Sequence, residues 1–138
     1  MNVLIVDANV AVKWVVEEVG SDAAAALADR SLAAPSILMA ECAHALLVKA
    51  RRGEITTSEA YERITMLHAA PIELVPCEDF VDEAARLAMD ISYSVNGCLY
   101  LALAARWKVP LITADEGLVE RARRHLTRPL VLLLGTIA

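Results

Sequence analysis

Residues 2–10 read NVLIVDANV, in which four apolar residues are followed directly by an acid. Three of these four residues, 3–6, are β-branched, and an apolar run without polar alternation is typical of a parallel strand buried on both faces. Asp7 would then stand at the carboxyl end of the strand, which is the edge where open α/β sheets bind ligands. For Asp7 taken alone, the simpler interpretation is a helix N-cap.

A second apolar run ends in the same way. Residues 110–114 read PLITA, and Asp115 follows them. Along the chain, short apolar runs alternate with helical segments, which is the pattern of a parallel sheet covered by helices. We therefore predict an α/β protein, an α/β/α sandwich around a central, mostly parallel sheet of four or five strands. The pattern does not give the strand order.

The apolar runs and the helix signals also predict where each element lies. The predicted strands are 3–6, 32–34, 72–75, 111–113 and 130–134. The predicted helices are 8–18, 23–29, 37–51, 57–69, 78–90, 96–107 and 115–125. Thr56 and Glu59 have the spacing of a capping box. At 138 residues with short connections, we expect one domain spanning residues 1–138.

Composition limits the classes of function. The chain is 57% hydrophobic and 4% aromatic, with a net charge of −5, so any contact with a polyanion has to be local or carried by a cation. Its three cysteines show no C-x-x-C pair, which is typical of reduced thiols in a cytoplasmic protein. No apolar run approaches the roughly 20 residues of a membrane helix, and no basic segment precedes the first run, so we expect neither a membrane partner nor a secretory signal.

Glu41 lies inside the predicted helix 37–51. Its neighbours at helical spacing are apolar, namely Ile37, Leu38, Ala45 and Val48. A carboxylate on a buried face is unfavourable unless it is paired or bound to a cation. Its candidate ion-pair partners are Lys13, Lys49 and Arg52. His44 shares this helix face, and we predict a packed histidine there rather than a general base.

Asp7, Glu41 and Asp115 form the candidate site. Two of these acids follow predicted parallel strands, and the third lies on a helix that can pack over the same edge. Their mutual repulsion favours protonation unless a cation neutralises it. A hard ion such as Mg²⁺ or Mn²⁺ suits such oxygen ligands, and an acidic cluster around a hydrated metal suits hydrolysis of a phosphodiester.

Arginines follow the last of these acids. Arg121, Arg124 and Arg128 recur at helical or near-helical spacing and are candidates to hold phosphates. The simpler interpretation is a solvated helix face with cations near its carboxyl end.

Four segments carry a resemblance to a known family. They are VDANVAVKW (6–14), PSILMAE (35–41), CLYLALA (98–104) and LITAD (111–115). In this order and spacing they resemble the PIN-domain family, and within it the VapC-like toxins of bacterial toxin–antitoxin pairs. Each segment alone is weakly specific, but together they cover nearly the whole chain.

The resemblance implies an activity and a set of residues. It implies a PIN-like sandwich and an Mg²⁺- or Mn²⁺-dependent endoribonuclease toxin that is silenced by a cognate antitoxin, is often a homodimer and acts in the cytoplasm. Asp7, Glu41 and Asp115 fall on the family's catalytic, metal-binding acids. Asn9 and Thr113 fall on positions that support the metal ligands. The arginines would then hold the RNA.

Position 97 departs from the family pattern. The family normally has an aspartate before the segment 98–104, where this chain has Gly97 preceded by Asn96. The Gly97 backbone N–H, at a predicted helix start, is a candidate phosphate donor, and Asn96 is the adjacent oxygen donor. We expect weaker metal binding and slower catalysis from the missing carboxylate.

Two alternatives remain open at this point. Gly97 also supports the alternative of a catalytically inactive PIN-fold module that only binds an antitoxin or RNA. Phosphoryl transfer on Asp7 is disfavoured, because Asn9 replaces the second acid of a D-x-D motif and no lysine partner is evident.

Overall fold

The computed structural model describes residues 2–128 and 130–136. Within these residues the strands are β1 (Val3–Val6), β2 (Ser31–Pro35), β3 (Ile72–Val75), β4 (Leu111–Thr113) and β5 (Val131–Leu133). The α-helices are α1 (Ala8–Ala11), α2 (Ser21–Ala25), α3 (Leu38–Arg51), α4 (Thr57–His68), α5 (Val81–Ile91), α6 (Val95–Trp107) and α7 (Glu116–His125). Short 3₁₀ turns cover Val12–Trp14 and Cys77–Asp79.

The strands form one parallel sheet in the order β3-β2-β1-β4-β5. The chain builds outward from β1 to β3, and then returns to the other side of β1 to add β4 and β5. The order therefore reverses between β1 and β4, and ligands of open α/β sheets bind in the crevice at such a point. The predicted α/β/α sandwich is confirmed, with five parallel strands among the described residues.

Three strands, 3–6, 72–75 and 111–113, have their predicted bounds. The predicted helix 8–18 is wrong in length, because α1 and its 3₁₀ turn end at Trp14. The Ser21 hydroxyl donates to the Val16 carbonyl at 2.9 Å and accepts the Glu18 N–H at 2.9 Å. A side chain that satisfies backbone groups in this way competes with a continuing helix. The predicted helix 78–90 begins as a 3₁₀ turn, and α5 starts only at Val81.

Among the described residues, helix α6 has the largest number of buried residues, and it packs against α5 and against β1, β2 and β4. All residues from Cys98 to Ala104 are buried, which explains why this segment is apolar all round instead of amphipathic. Among the described residues no individual helix has the length and apolar character to cross a membrane. Only α5 and α6 taken together meet that test by length and composition, and they are bent by 112°.

Helix α4 begins with the predicted capping box. The Glu59 N–H donates to Thr56 Oγ1 at 3.0 Å, and the Thr56 N–H donates to Glu59 Oε1 at 2.9 Å. These two bonds satisfy backbone donors that the first helical turn leaves free.

We expect Thr56→Ala to lower the free energy of unfolding by about 1 kcal/mol, because the N-cap acceptor is lost. Urea unfolding followed by circular dichroism measures this change. The control is Thr57→Ala, one residue further into the same exposed turn, where alanine is the better helix former. Equal destabilisation by the two variants would contradict the capping assignment.

Candidate functional site

Hydrogen bonds join the ends of β1 and β4 through Thr113. The Thr113 hydroxyl donates to Asp7 Oδ2 at 2.9 Å and accepts the Asp115 N–H at 3.1 Å. Asn9 Nδ2 donates to the same hydroxyl at 3.2 Å, and Asn9 Oδ1 accepts the Ala114 N–H at 3.0 Å. Thr113 thus contacts Asp7 directly, whereas Asn9 contacts Thr113 and the Ala114 backbone. Asp7 precedes α1, but it makes no side-chain capping hydrogen bond there.

Glu41 projects from α3 and is partly buried. Its Oε1 accepts a hydrogen bond of 2.6 Å from the hydroxyl of Tyr100, a fully buried residue of α6. The two lysines considered as its partners, Lys13 and Lys49, instead contact Glu18 at 2.8 and 2.6 Å. Glu41 is therefore oriented by a neutral hydroxyl, and these lysines are engaged elsewhere.

Asp7 and Glu41 share one cavity of about 460 Å³, which we call the acidic cavity. Its walls come from α1, α3 and the start of α6, and are formed by Asp7, Ala8, Asn9, Ile37, Ala40, Glu41, His44, Ala45 and Asn96. Asn96 is exposed at its edge. The prediction of a packed His44 is wrong, because this side chain is exposed on the cavity wall.

Burial raises the pKa of Asp7 from 3.8 to about 6, and the neighbouring Glu41 charge adds to the increase, while the Thr113 hydrogen bond opposes it. The same environment acts on Cys42, whose pKa is raised to about 12 by burial first and then by the charges of Glu41 and Asp7. Two carboxylates therefore act on the same small volume, and a cation placed there would relieve the repulsion between them.

Asp115 occupies the N-cap of α7. Its Oδ1 accepts the Gly117 N–H at 2.9 Å and the Leu118 N–H at 3.3 Å. Its Oδ2 accepts a short hydrogen bond from the Tyr93 hydroxyl. Both oxygens of Asp115 are thus engaged, and this residue is absent from the lining of the acidic cavity.

The side chains of the acidic cavity can be compared with the ligands that a divalent cation requires. In residues 2–128 and 130–136, no group of three or more His, Cys, Asp or Glu side chains has a metal-ligand arrangement. Asp7 and Glu41 nevertheless fit Mg²⁺, which usually takes one or two carboxylates and keeps several waters. The cavity suits such a hydrated ion, while a role of Asp115 as a third ligand stays a prediction.

Gly97 lies within the first turn of α6, which begins at Val95. Its N–H donates to the side chain of Ser94, the N-cap residue, at 3.0 Å. The proposal that this N–H faces a phosphate is therefore wrong, because the helix starts two residues earlier than position 97 and its cap already uses that donor.

Arg121 is tied to the turn between α5 and α6. Its Nη1 donates to the Ser92 carbonyl at 2.5 Å and to the Ile91 carbonyl at 3.3 Å. Its guanidinium carbon lies 6.0 Å from the centroid of the Tyr93 ring, within the range of a cation–π contact. Arg121 thus holds the segment that carries Tyr93.

The other two predicted arginines lie in different places. Arg124 forms an ion pair with Glu120 at 2.5 Å and shares a polar cavity of about 340 Å³ with Arg121. Arg128 instead lines a separate cavity beside Pro110, at the amino end of β4. The structure thus brings Arg121 and Arg124 together on the side of Asp115, and leaves Arg128 at the opposite edge of the sheet.

The sequence reasoning did not single out Tyr93 and Tyr100, whose hydroxyls contact two of the three acids. A signal existed for Tyr100, because a tyrosine in an all-round apolar helix needs a buried partner for its hydroxyl. Tyr93 lies in a turn, where no local pattern indicates its contact with Asp115.

Comparisons with known proteins agree with this geometry. The sequence model of the PIN domain family matches residues 4–124. No curated protein sequence matches the chain. The fold is similar to that of PAE2754 from Pyrobaculum aerophilum, with a TM-score of 0.68 and 18% identity over 93% of this chain and 89% of that chain.

Two further similar structures are VapBC systems, and the second is a member of the VapBC family of toxin–antitoxin systems. One is VapBC2 from Rickettsia felis bound to a DNA fragment from their promoter, with a TM-score of 0.64 and 13% identity over 95% of this chain and 98% of that chain. The other is VapBC-5 from Mycobacterium tuberculosis, a member of the VapBC family, with a TM-score of 0.56 and 16% identity over 97% and 98% of the two chains. At these identities the likeness concerns the fold.

The raised pKa of Asp7 predicts a pH-dependent stability. An acid whose pKa is higher in the folded protein binds its proton more tightly there, so its favourable contribution is complete below about pH 4 and is lost as the pH rises through 6. In metal-free buffer, Asp7→Asn should therefore be more stable than the wild type at pH 7, by about 2–3 kcal/mol. Urea unfolding from pH 4 to pH 8 measures the difference. Parallel stability curves for the two proteins over this range would contradict the assignment.

Proposed function

Because the chain belongs to the PIN-domain family, whose members are generally nucleases, we propose that it is a divalent-cation-dependent endoribonuclease and the toxin of a toxin–antitoxin pair. The observation that supports this function is the pair Asp7 and Glu41 on one cavity at the switch point of the sheet. The reaction is hydrolysis of an RNA phosphodiester bond.

Asp7 and Glu41 would hold Mg²⁺ or Mn²⁺. When bound, the cation supplies Lewis-acid activation and neutralises charge that develops on the phosphate. The Thr113 hydroxyl donates to Oδ2 of Asp7, and the Tyr100 hydroxyl donates to Oε1 of Glu41. These two bonds fix the carboxylates that would hold the cation. Both hydroxyls hold the carboxylates in place before substrate binds, as an efficient site requires.

The remaining site residues support this pair. Asn9 donates a hydrogen bond to the Thr113 hydroxyl, and it therefore influences Asp7 indirectly, through Thr113. Asp115, whose backbone N–H donates to the Thr113 hydroxyl, is proposed as the third acid once its Oδ2 no longer accepts from Tyr93. Asn96 supplies an exposed amide at the cavity edge that can reach a ribose or a phosphate.

Arg121 and Arg124 are the proposed phosphate contacts, because they lie beyond Asp115 in a cavity of their own. A protein with a net charge of −5 needs such local cations to approach RNA. Arg128 would serve only an RNA that reaches the opposite edge of the sheet.

The proposed partners are a cognate antitoxin protein and a second copy of the chain, and the proposed location is the cytoplasm. Two of the similar structures are VapBC systems, and one of them belongs to a family of toxin–antitoxin systems, which supports an antitoxin partner. The free thiols of Cys42, Cys77 and Cys98 suit a reducing compartment. Light scattering after size exclusion, with and without a co-expressed antitoxin, tests both partners.

RNA cleavage tests the activity. With Mg²⁺ or Mn²⁺, we expect Asp7→Asn and Glu41→Gln each to slow cleavage by roughly a hundredfold, because each removes one of two charged ligands. A gel assay on a structured RNA panel with purified, antitoxin-free protein measures the rates. Glu62→Gln, an exposed acid on α4, is the matched control. If Asp7→Asn cleaves RNA as fast as the wild type, or if the wild type cleaves RNA equally well in chelator, the proposal is wrong.

Two observations favour the second candidate, a PIN-fold module that binds an antitoxin or RNA without cleaving it. Asp115 is engaged at both oxygens, and position 97 carries no carboxylate. This candidate is supported if the wild type binds RNA or antitoxin tightly and cuts no RNA of the panel.

The phosphate contacts can be tested separately from catalysis. In chelator, Arg124→Ala should weaken RNA binding for all sequences and reduce the slope of log affinity against log salt by about 1, because one phosphate contact is lost. Fluorescence anisotropy over a salt series measures this. The control is Arg123→Ala, an exposed neighbour that does not line the polar cavity. If Arg123→Ala has the same effect, the binding reflects net charge and not a site.

A further inference from the structure

Tyr93 occupies the space beside Gly97. A Cβ atom built on Gly97 would lie 2.2 Å from Tyr93 Cε2 and 2.7 Å from Cδ2, which is far inside van der Waals contact. Gly97 is a helical residue and is not among the glycines with positive φ, so its backbone conformation suits any L-residue. A side chain at position 97 therefore requires the Tyr93 ring to move, and its Cβ atom would also lie 3.1 Å from Ser94 Oγ.

The same ring carries the hydroxyl that donates to Asp115 Oδ2. Several contacts hold it there. Ser92, the residue before it, adopts a left-handed conformation with φ of 56°, and Arg121 binds the Ser92 carbonyl. The Arg121 guanidinium also lies over the Tyr93 ring. Burial raises the pKa of Tyr93 above its usual range, so the hydroxyl stays a neutral donor at physiological pH.

We propose that Tyr93 is a positioning residue that sets which groups reach the acidic cavity, because its ring excludes any side chain from position 97 and its hydroxyl holds Asp115 aside. The consequence for cation binding rests on the proposed function, whereas the steric pairing of Tyr93 and Gly97 does not. An acid introduced at position 97 alone therefore cannot join the site while Tyr93 stays in place, and loss of the Tyr93 hydroxyl frees Oδ2 of Asp115 while its Oδ1 still caps α7.

The steric pairing is tested by stability. In the wild type, Gly97→Ala should lower Tm by roughly 5–10 °C, because the added methyl group displaces the Tyr93 ring. In the Tyr93→Ala background, the same Gly97→Ala change should raise Tm by a few degrees, since alanine favours a helix over glycine by about 1 kcal/mol. This reversal of sign needs neither RNA nor metal.

The release of Asp115 is tested by cation affinity. Isothermal titration with Mn²⁺ alone should show about tenfold tighter binding in Tyr93→Phe, which keeps the ring and loses only the hydroxyl bond to a charged group. Tyr61→Phe, an exposed tyrosine on α4, is the matched control and should be unchanged. Gly97→Asp should tighten Mn²⁺ binding in the Tyr93→Ala background by about tenfold relative to Gly97→Asn, which has the same shape without the charge. In the wild-type background the two substitutions should not differ.

The outcomes separate this inference from the proposed function. A Gly97→Ala effect of the same sign and size in both backgrounds overturns the pairing. If the wild type binds Mn²⁺ and Tyr93→Phe binds it with the same affinity, the proposal that the Tyr93 hydroxyl keeps Asp115 from the cation is wrong. If neither the wild type nor any variant binds Mn²⁺, the proposed function fails, and the stability cycle alone then decides the pairing of Tyr93 with Gly97.

Discussion

The hydrogen bond from Thr113 to Asp7 joins the carboxyl ends of β1 and β4, and the rest of the site depends on it. The two strands are neighbours only because the chain returns to the far side of β1 after building β3. The return opens a crevice between the strand ends, and Asn9 and Asp115 attach to the same hydroxyl there. The strand order thus creates the crevice in which a ligand can bind, and the Thr113 hydrogen bond fixes the orientation of Asp7 within it.

Each acid of the site is stabilised by a neutral donor instead of a cation. Glu41 is held by Tyr100 and Asp115 by Tyr93, while Asp7 is held by Thr113. Hydroxyl donors keep the carboxylates in place and leave their negative charge in full, so attraction for a cation is retained. Burial and the nearby Glu41 charge raise the pKa of Asp7, so its charged form is disfavoured in the cavity without a cation. Functional sites commonly lower the stability of the folded protein in this way.

Glu41 and Asp115 show what a local sequence pattern can predict about a site residue and what it cannot. The apolar neighbours of Glu41 indicate a carboxylate that needs a partner, and the structure shows one. That partner, Tyr100, lies 59 residues away in the sequence, beyond the reach of a local pattern. Asp115 was rightly placed after a strand, yet its contact with Tyr93 depends on how the α5–α6 turn meets the start of α7. His44 was misjudged because its helix face borders a cavity and not another helix.

The sequence by itself determined the α/β class, the bounds of three strands, the capping box of α4 and the candidate acids. All of these are local, since apolar runs, caps and a strand followed by an acid are visible within a few neighbouring residues. Only the tertiary structure decided the strand order, the sharing of one cavity by Asp7 and Glu41, and the place of Tyr93 over Gly97. These features arise from contacts between segments distant in the chain, and such contacts are set by packing, which no local pattern encodes.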